Sequence, residues 1–277
     1  MPGTRLTVDL LPGAQAVLAE HQREMPQMNE LCGVFWLTLA LRTVLGQQVS
    51  QDDVAVHAWS VLSHVQSADY FPPGEVGRHD YARELPRIDD STLTGTTPWG
   101  VVQATATMSD GRLEAVPITG PWRGADVSAL LTLLAEQEDP CVLAVNVATR
   151  HFWGARPSPV EALNAVVSAK DDGPDPDWDV GHFIGVLGTV SGPDGVLLLC
   201  ADTYPSLGWR GLYLQPPDRI AAAMRRDGSP DSGGAMIITS PRCAPSIRAF
   251  AEDHGLTCAP WDNGVILLDP ATIPGAN

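Results

Sequence analysis

The sequence predicts an α+β fold in which a buried helix precedes a mainly antiparallel sheet. The segment 32–45 is apolar at almost every position, which is typical of a helix buried on all sides. Later in the chain, two β-rich runs (181–190 and 195–204) are joined by Ser-Gly-Pro-Asp at 191–194, which indicates a hairpin. Hydrophobic residues make up 44% of the chain and charged residues 18%, as in globular proteins.

The first part of the chain is expected to be helical. A short helix is predicted over 14–23, and the buried helix follows, with Asn29 as its N-cap, Glu30 in its first turn and Gly46 just after its end. Thr97-Pro98 predicts the start of another helix, because Thr is a favoured N-cap and Pro a favoured first residue. The remaining pieces before it are a helix near 52–64 and an irregular loop at 71–90.

Strands and helices alternate after residue 110. The expected elements, in order, are strand 113–118, helix 126–136, strand 141–147, helix 158–169, an acidic loop at 171–179, the hairpin, strand 211–215 and helix 217–226. We interpret residues 1–230 as one domain, with a helical half at about 29–110 and a sheet half at about 111–230. Residues 231–277 predict a strand, a helix and a strand, which form either an extension or the closing edge of the same sheet.

Charge and cysteine content exclude several classes of function. The net charge of −16 argues against nucleic-acid and anionic-membrane partners, whose binding needs clustered Lys and Arg. Neither a signal peptide nor an apolar run long enough to span a bilayer is evident. The five cysteines are not spaced as disulfide or zinc ligands. We therefore expect a cytoplasmic protein with no metal and no cofactor.

Cys32 is the candidate nucleophile. Near the start of a helix, free backbone N–H groups and the helix dipole favour the thiolate, which is the reactive form of cysteine. The alternative interpretation is a small buried hydrophobic residue, which is a common role of free cysteine.

His182 and Asp202 are the candidate partners of this thiol. His182 opens the first strand of the hairpin and Asp202 ends the second, so both lie at the same end of it. Taken singly, His182 could be a core histidine with satisfied hydrogen bonds and Asp202 a strand-end cap. Side-chain alternation puts them on one face only if the connecting loop has an odd number of residues, as in a loop of 193–195. That register still leaves them about 13 Å apart, so contact needs a wider loop or a β-bulge.

The combination of NELCGVFWLTLAL at 29–41 with the hairpin GHFIGVLG…LLLCADTYP resembles the C39-type, papain-like cysteine peptidases. The resemblance implies a papain-like fold and a triad of Cys32, His182 and Asp202. It also implies an oxyanion-stabilising side chain a few residues before the cysteine, for which Gln27 is the best match and Asn29 the second.

The expected function is that of a cysteine peptidase or related hydrolase acting on a peptide or protein substrate. The same triad could serve an acyl-transferase or cyclase. The alternatives are a catalytically silent papain-like domain that binds a peptide or protein, and an α+β interaction module in which the triad residues never meet. Candidate substrate-binding residues are those near the triad in sequence, together with one residue after an earlier strand: Trp178, Gly181, Tyr204, Trp209 and His151.

Overall fold

The fold is mixed α/β with a mostly antiparallel sheet, as the sequence predicts. The structure is a computed structural model, and it describes residues 6–65, 70–154, 164, 166–167, 173–176 and 178–267. Most of the predicted helix 158–169 and part of the predicted acidic loop lie outside the described residues; the described residues of that helix, 164 and 166–167, are helical.

Seven helices are described here, together with short 3₁₀ turns. They are α1 (Ala14–Glu24), α2 (Cys32–Leu45), α3 (Gln51–His57), α4 (Pro98–Met108), α5 (Gly124–Ala135), α6 (Pro217–Arg225) and α7 (Ala244–Asp253). Helix α4 begins as expected, because the Thr97 side chain accepts a hydrogen bond from the Gly100 N–H. Helix α3 is shorter than expected and is capped by Ser50, whose side chain bonds reciprocally with Asp53.

The main sheet contains seven strands, and every pairing in it is antiparallel. They are β1 (Thr7–Leu10), β4 (Glu114–Ile118), β5 (Val142–Ala148), β6 (Gly181–Gly192), β7 (Gly195–Ala201), β8 (Leu212–Gln215) and β9 (Gly234–Thr239). Their order is β4-β9-β5-β6-β7-β8, and β1 pairs with the second half of β6. Two short strands, β2 (Leu62–Ser63) and β3 (Arg87–Ile88), form a separate parallel pair.

Helix α2 is the buried helix that the apolar run predicts. Its residues from Gly33 to Leu41 are all buried, and the helix packs against β5 and β6 as well as against neighbouring helices. Its first residue is Cys32, with Leu31 as the N-cap. The predicted N-cap at Asn29 is therefore wrong, and Cys32 lies in the first position of the helix instead of the third.

The C-terminal segment is part of the main sheet. Strand β9 lies between β4 and β5 and pairs with both. After α7 the chain returns across the molecule: Trp261 Nε1 donates to Asn146 Oδ1 at 3.0 Å, and Ile266 N donates to Leu93 O at 2.9 Å. Residues 261–266 thus connect the sheet to the loop before α4, and the described part of the predicted last strand, 264–267, is not a strand.

Among the described residues, no helix combines the length and the apolar character needed to cross a bilayer.

Candidate active site

Cys32 occupies the N-terminal end of a helix of 14 residues. The first N–H groups of a helix have no partner within it, and the helix dipole is positive at this end. Cys32 is only partly buried, whereas Cys141, Cys200 and Cys243 are buried. The thiol therefore lies at the positive end of the helix dipole and in the lining of a cleft.

A β-bulge brings His182 and Asp202 to the same face of the hairpin. The turn has two residues, Pro193 and Asp194, and not the odd number that side-chain alternation requires for a shared face, so by itself it would put His182 and Asp202 on opposite faces. The register then shifts between Val186 and Gly188, so one extra residue of β6 restores the shared face. A bulge is one of the two solutions that the sequence left open.

His182 and Asp202 form a buried hydrogen-bonded pair. His182 Nε2 donates to Asp202 Oδ1 at 3.0 Å, and the two side chains are 3% and 1% exposed. Asp202 Oδ2 accepts from the Tyr213 hydroxyl at 2.8 Å, and Oδ1 also accepts from the Tyr204 N–H at 3.3 Å. The carboxylate is thus held by three donors, and it fixes the orientation of the imidazole ring.

The other side of the imidazole faces Cys32. Cys32 acts electrostatically on the His182 ring and raises its pKa, and because Nε2 is engaged by Asp202, Nδ1 is the nitrogen left for sulfur. Burial alone lowers the pKa of His182, but the charge and hydrogen bond of Asp202, together with Cys32, raise it to about 10. The ring therefore favours the imidazolium form, which pairs with a thiolate.

Two close contacts between α2 and β6 fix the position of sulfur relative to the ring. A β-carbon at Gly33 would be 3.3 Å from the ring of Phe183, the residue after His182. One turn further along α2, Trp36 lies against Gly185, and its Nε1 donates to Phe183 O at 3.2 Å. Glycine at 33 and 185 allows helix and strand to approach this closely.

Gln27 is held by Thr203, next to Asp202. Its backbone N–H donates to Thr203 O at 3.1 Å, and its Oε1 accepts from the Thr203 hydroxyl at 2.6 Å. The Oε1 atom is thereby held toward Thr203, and the amide nitrogen is the donor that remains. Gln27 and Cys32 line the same cleft.

Asn29 serves the structure of a loop. Its Oδ1 accepts from Arg78 N at 2.9 Å, its backbone N–H donates to Arg78 O at 3.0 Å, and its Nδ2 lies 3.0 Å from the ring nitrogens of His79. Both the oxygen and the nitrogen of the side-chain amide therefore contact the loop at 78–79. Asn29 lines the cleft, and its side chain anchors this loop.

A cleft of about 510 Å³ contains the candidate triad residues Cys32 and His182 in its lining. Of the candidate substrate-binding residues, Trp178, Gly181 and Tyr204 line it. The rings of Trp178 and Tyr204 lie 5.1 and 5.9 Å from that of His182, and Phe71 meets Tyr204 edge-on at 6.2 Å. We call Phe71, Trp178 and Tyr204 the aromatic cluster; it covers the imidazole with apolar surface.

His151 and Trp209 are not among the cleft-lining residues. Trp209 is 74% exposed in the turn before β8, where its backbone bridges to Leu212. His151 ends the short 3₁₀ turn after β5.

Several cleft residues were not predicted from the sequence. Four of them, which we call the polar cluster, are Asn146, Arg226, Asp231 and Asn263. Arg226 is 3% exposed, pairs with Asp231, and donates from Nη2 to Asn146 Oδ1 at 2.8 Å. Asn146 Nδ2 in turn donates to His182 O at 3.2 Å. A polar residue within the apolar strand 142–148 was the available signal for Asn146, and the others have no local signal.

Within the described ranges, no group of three or more His, Cys, Asp or Glu side chains is arranged to hold a metal ion.

Comparison with known proteins gives a family without a described activity. The model of one family, described as a family of unknown function (DUF6885), matches residues 11–262 and so spans α1 to α7 and the cleft except for its lining residues 263–265. No curated protein matches the sequence significantly.

Proposed function

Because the chain belongs to the DUF6885 family, whose function is unknown, we propose its activity from the site itself: it is a cysteine hydrolase. The thiolate of Cys32 attacks the carbonyl carbon of a peptide or amide, with His182 as general acid and base and Asp202 as the residue that orients it. The fold proposed is papain-like, of the C39 type.

One observation carries the proposal. Cys32, at the start of α2, lines the same cleft as His182 and helps to raise the pKa of this buried histidine, whose Nε2 is held by the carboxylate of Asp202. A buried structural cysteine would need neither a paired histidine nor access to a cleft. The buried helix with its N-terminal cysteine, packed against the strand that carries the histidine, supports the papain-like fold.

The arrangement supports a two-step reaction. His182 takes the proton of the Cys32 thiol, and the thiolate adds to the carbonyl carbon to give a tetrahedral oxyanion. The Cys32 N–H and the Gln27 amide nitrogen donate hydrogen bonds to that oxygen. His182 then gives its proton to the leaving amine as the C–N bond breaks, which leaves a thioester on Cys32. Water, deprotonated by His182, releases the carboxylic acid and restores the thiol.

Alkylation of Cys32 tests the thiolate. The protein is treated with iodoacetamide from pH 5 to 10, and labelled cysteines are mapped by mass spectrometry. Cys258 is the internal reference, because it is exposed and burial raises the pKa of its thiol. We expect Cys32 to react first at pH 6 and the His182→Ala variant to react at least about 100-fold more slowly there. Equal labelling of Cys32 and Cys258 at every pH would overturn the proposal.

Turnover is tested separately. A mixture of synthetic peptides is incubated with the wild-type protein and with Cys32→Ala, and new termini are identified by mass spectrometry. Products that need Cys32 support hydrolysis, and products that appear only when an amine nucleophile is added support acyl transfer. A reactive Cys32 without any product identifies a domain that binds but does not cleave, and this outcome contradicts the proposed hydrolase.

A further inference from the structure

Buried polar atoms without hydrogen-bond partners are concentrated at the cleft. In the part of the chain that the structure describes, six buried side-chain nitrogen or oxygen atoms have no partner. Three of them belong to residues that line the cleft: Trp178 Nε1, Arg226 Nε and Asn263 Oδ1. Because buried polar groups are nearly always hydrogen bonded, this concentration points to a ligand that supplies the missing partners.

Arg226 is held rigidly beside the candidate catalytic strand. Its Nη1 pairs with Asp231 and its Nη2 donates to Asn146 Oδ1, so Nε–H is the donor left over. The guanidinium lies against Gly181, where a β-carbon would be 3.1 Å from Nη2. Because Gly181 directly precedes His182, Arg226 packs against the neighbour in sequence of the proposed general base.

Asn263 is held in the same way by the loop before α4. Its Nδ2 donates to Thr96 O at 3.1 Å, which leaves Oδ1 as an unused acceptor. Its own carbonyl oxygen accepts from Arg226 Nη1 at 3.4 Å, so the two residues are in contact. A fixed donor and a fixed acceptor therefore lie side by side in the polar cluster.

The charge of the cleft limits the ligand. Its ionisable lining includes the carboxylates of Glu30, Asp179 and Asp231 and the guanidinium of Arg226, whose charge Asp231 already balances. An anionic ligand would meet net negative charge. A neutral amide group offers a carbonyl acceptor and an N–H donor together, which is the complement of Arg226 Nε–H and Asn263 Oδ1.

We propose that Arg226 and Asn263 form a subsite for one peptide group of the substrate, next to the carbonyl that Cys32 attacks. Arg226 Nε–H donates to the carbonyl oxygen of that group, and Asn263 Oδ1 accepts from its N–H. The subsite binds the acyl part of the substrate, which lies before the cleaved bond. This part stays on the enzyme as the thioester after the leaving amine has gone. The substrate is therefore a peptide chain of at least two residues before the cleavage point, and not a simple amide or ester. This inference rests on the proposed hydrolase activity.

The test uses two alkylating probes that differ by one methyl group. One is acetyl-alanyl-alanyl chloromethyl ketone, and the other carries a methyl on the nitrogen between the two alanines. Cys32 displaces chloride from either probe. The rate of Cys32 alkylation by each probe is divided by the rate of its alkylation by iodoacetamide in the same protein. The iodoacetamide rate reports the reactivity of Cys32 alone. We expect N-methylation to lower this ratio about 3- to 10-fold in the wild type, because one hydrogen bond is lost.

Variants assign the effect to the subsite. In Asn263→Ala the two probes should give the same ratio, whereas Asn263→Asp keeps an acceptor oxygen and should keep part of the difference. Arg226→Lys retains the charge beside Asp231 but removes Nε–H, and should lower the ratio for both probes. Arg225→Lys is the matched control, because Arg225 binds Asp227 and the Trp122 carbonyl outside the cleft.

The outcomes separate this inference from the proposed function. Equal ratios for the two probes in the wild type, or the same N-methyl effect in wild type and Asn263→Ala, would overturn the subsite while Cys32 remains a reactive nucleophile. If iodoacetamide itself does not select Cys32, the proposed hydrolase fails first. The wild-type comparison needs no substitution, so it stands even if a variant does not fold.

Discussion

The indole of Trp36 lies directly against Gly185, so that a β-carbon at residue 185 would be 2.4 Å from two of its ring carbons. Trp36 is one turn from Cys32 along α2, and Gly185 is three residues from His182 along β6. This contact therefore sets how closely the helix that carries sulfur approaches the strand that carries the imidazole.

Gly185→Ala tests this contact. Because the added methyl meets a fully buried ring, we expect a loss of about 1–3 kcal/mol in the free energy of unfolding, measured in urea. Slower alkylation of Cys32 should accompany it, since α2 must shift away from His182. In the Trp36→Phe background the same substitution should cost less, because the smaller ring leaves room. An unchanged unfolding midpoint in Gly185→Ala would show that the helix–strand contact is loose.

Asp202→Asn tests the origin of the high pKa of His182. Burial lowers this pKa, and the carboxylate charge is the largest opposing influence. Without that charge the pKa should fall well below about 10, and alkylation of Cys32 at pH 6 should slow, because fewer rings carry the proton that stabilises the thiolate. Tyr213→Phe is the control: it removes the donor to Asp202 Oδ2 but keeps the charge, so its shift should be smaller. Nuclear magnetic resonance of the imidazole gives the pKa directly.

The same pKa predicts how stability depends on pH. His182 binds its proton more tightly in the folded state, with a pKa of about 10 against an ordinary 6.5. Its contribution to the free energy of unfolding is therefore complete below about pH 6.5 and is lost as the pH rises through about 10. The difference in urea midpoint between wild type and His182→Gln should shrink across this window. A constant difference from pH 6 to pH 10 would contradict the raised pKa.

The elements could be predicted from the sequence because their signals are local. The apolar run of α2, the Thr97-Pro98 start of α4 and the Pro193-Asp194 turn each depend on neighbouring residues. The position of β9 between β4 and β5 could not be predicted from the sequence, since strand order depends on contacts between distant parts of the chain.

The candidate residues Cys32, His182 and Asp202 could be named from the sequence, but their geometry could not be predicted from it. The bulge that aligns His182 with Asp202 lies where β1 packs on β6: a β-carbon at Gly188 would be 2.2 Å from Asp9 O, and Leu11 N donates to Leu187 O. This constraint comes from a strand about 180 residues earlier. In the same way, Asn29 has the chemistry of an N-cap, but its partners lie in a loop 49 and 50 residues later.

Asn29→Ala tests the structural role of that side chain. Loss of the bond to Arg78 N should lower the free energy of unfolding by about 1–3 kcal/mol and make the loop around Arg78 more sensitive to limited proteolysis. The effect on the rate of acyl transfer, corrected for the folded fraction, should be small compared with that of Gln27→Ala. If Asn29→Ala instead abolished turnover in a fully folded protein, the side chain would be acting at the oxyanion.

Gln27→Ala tests the oxyanion donor by comparing two reactions of Cys32. Hydrolysis of the p-nitrophenyl ester of acetyl-alanyl-alanine forms a tetrahedral oxyanion, whereas alkylation by iodoacetamide does not. Removal of one oxyanion donor should therefore slow ester hydrolysis about 100-fold or more relative to alkylation. Thr203→Val removes the hydroxyl that holds Gln27 Oε1 and should cause a smaller loss of the same kind, because the amide remains but is free to rotate. Equal losses in both reactions would mean that Gln27 affects the thiolate and not the transition state.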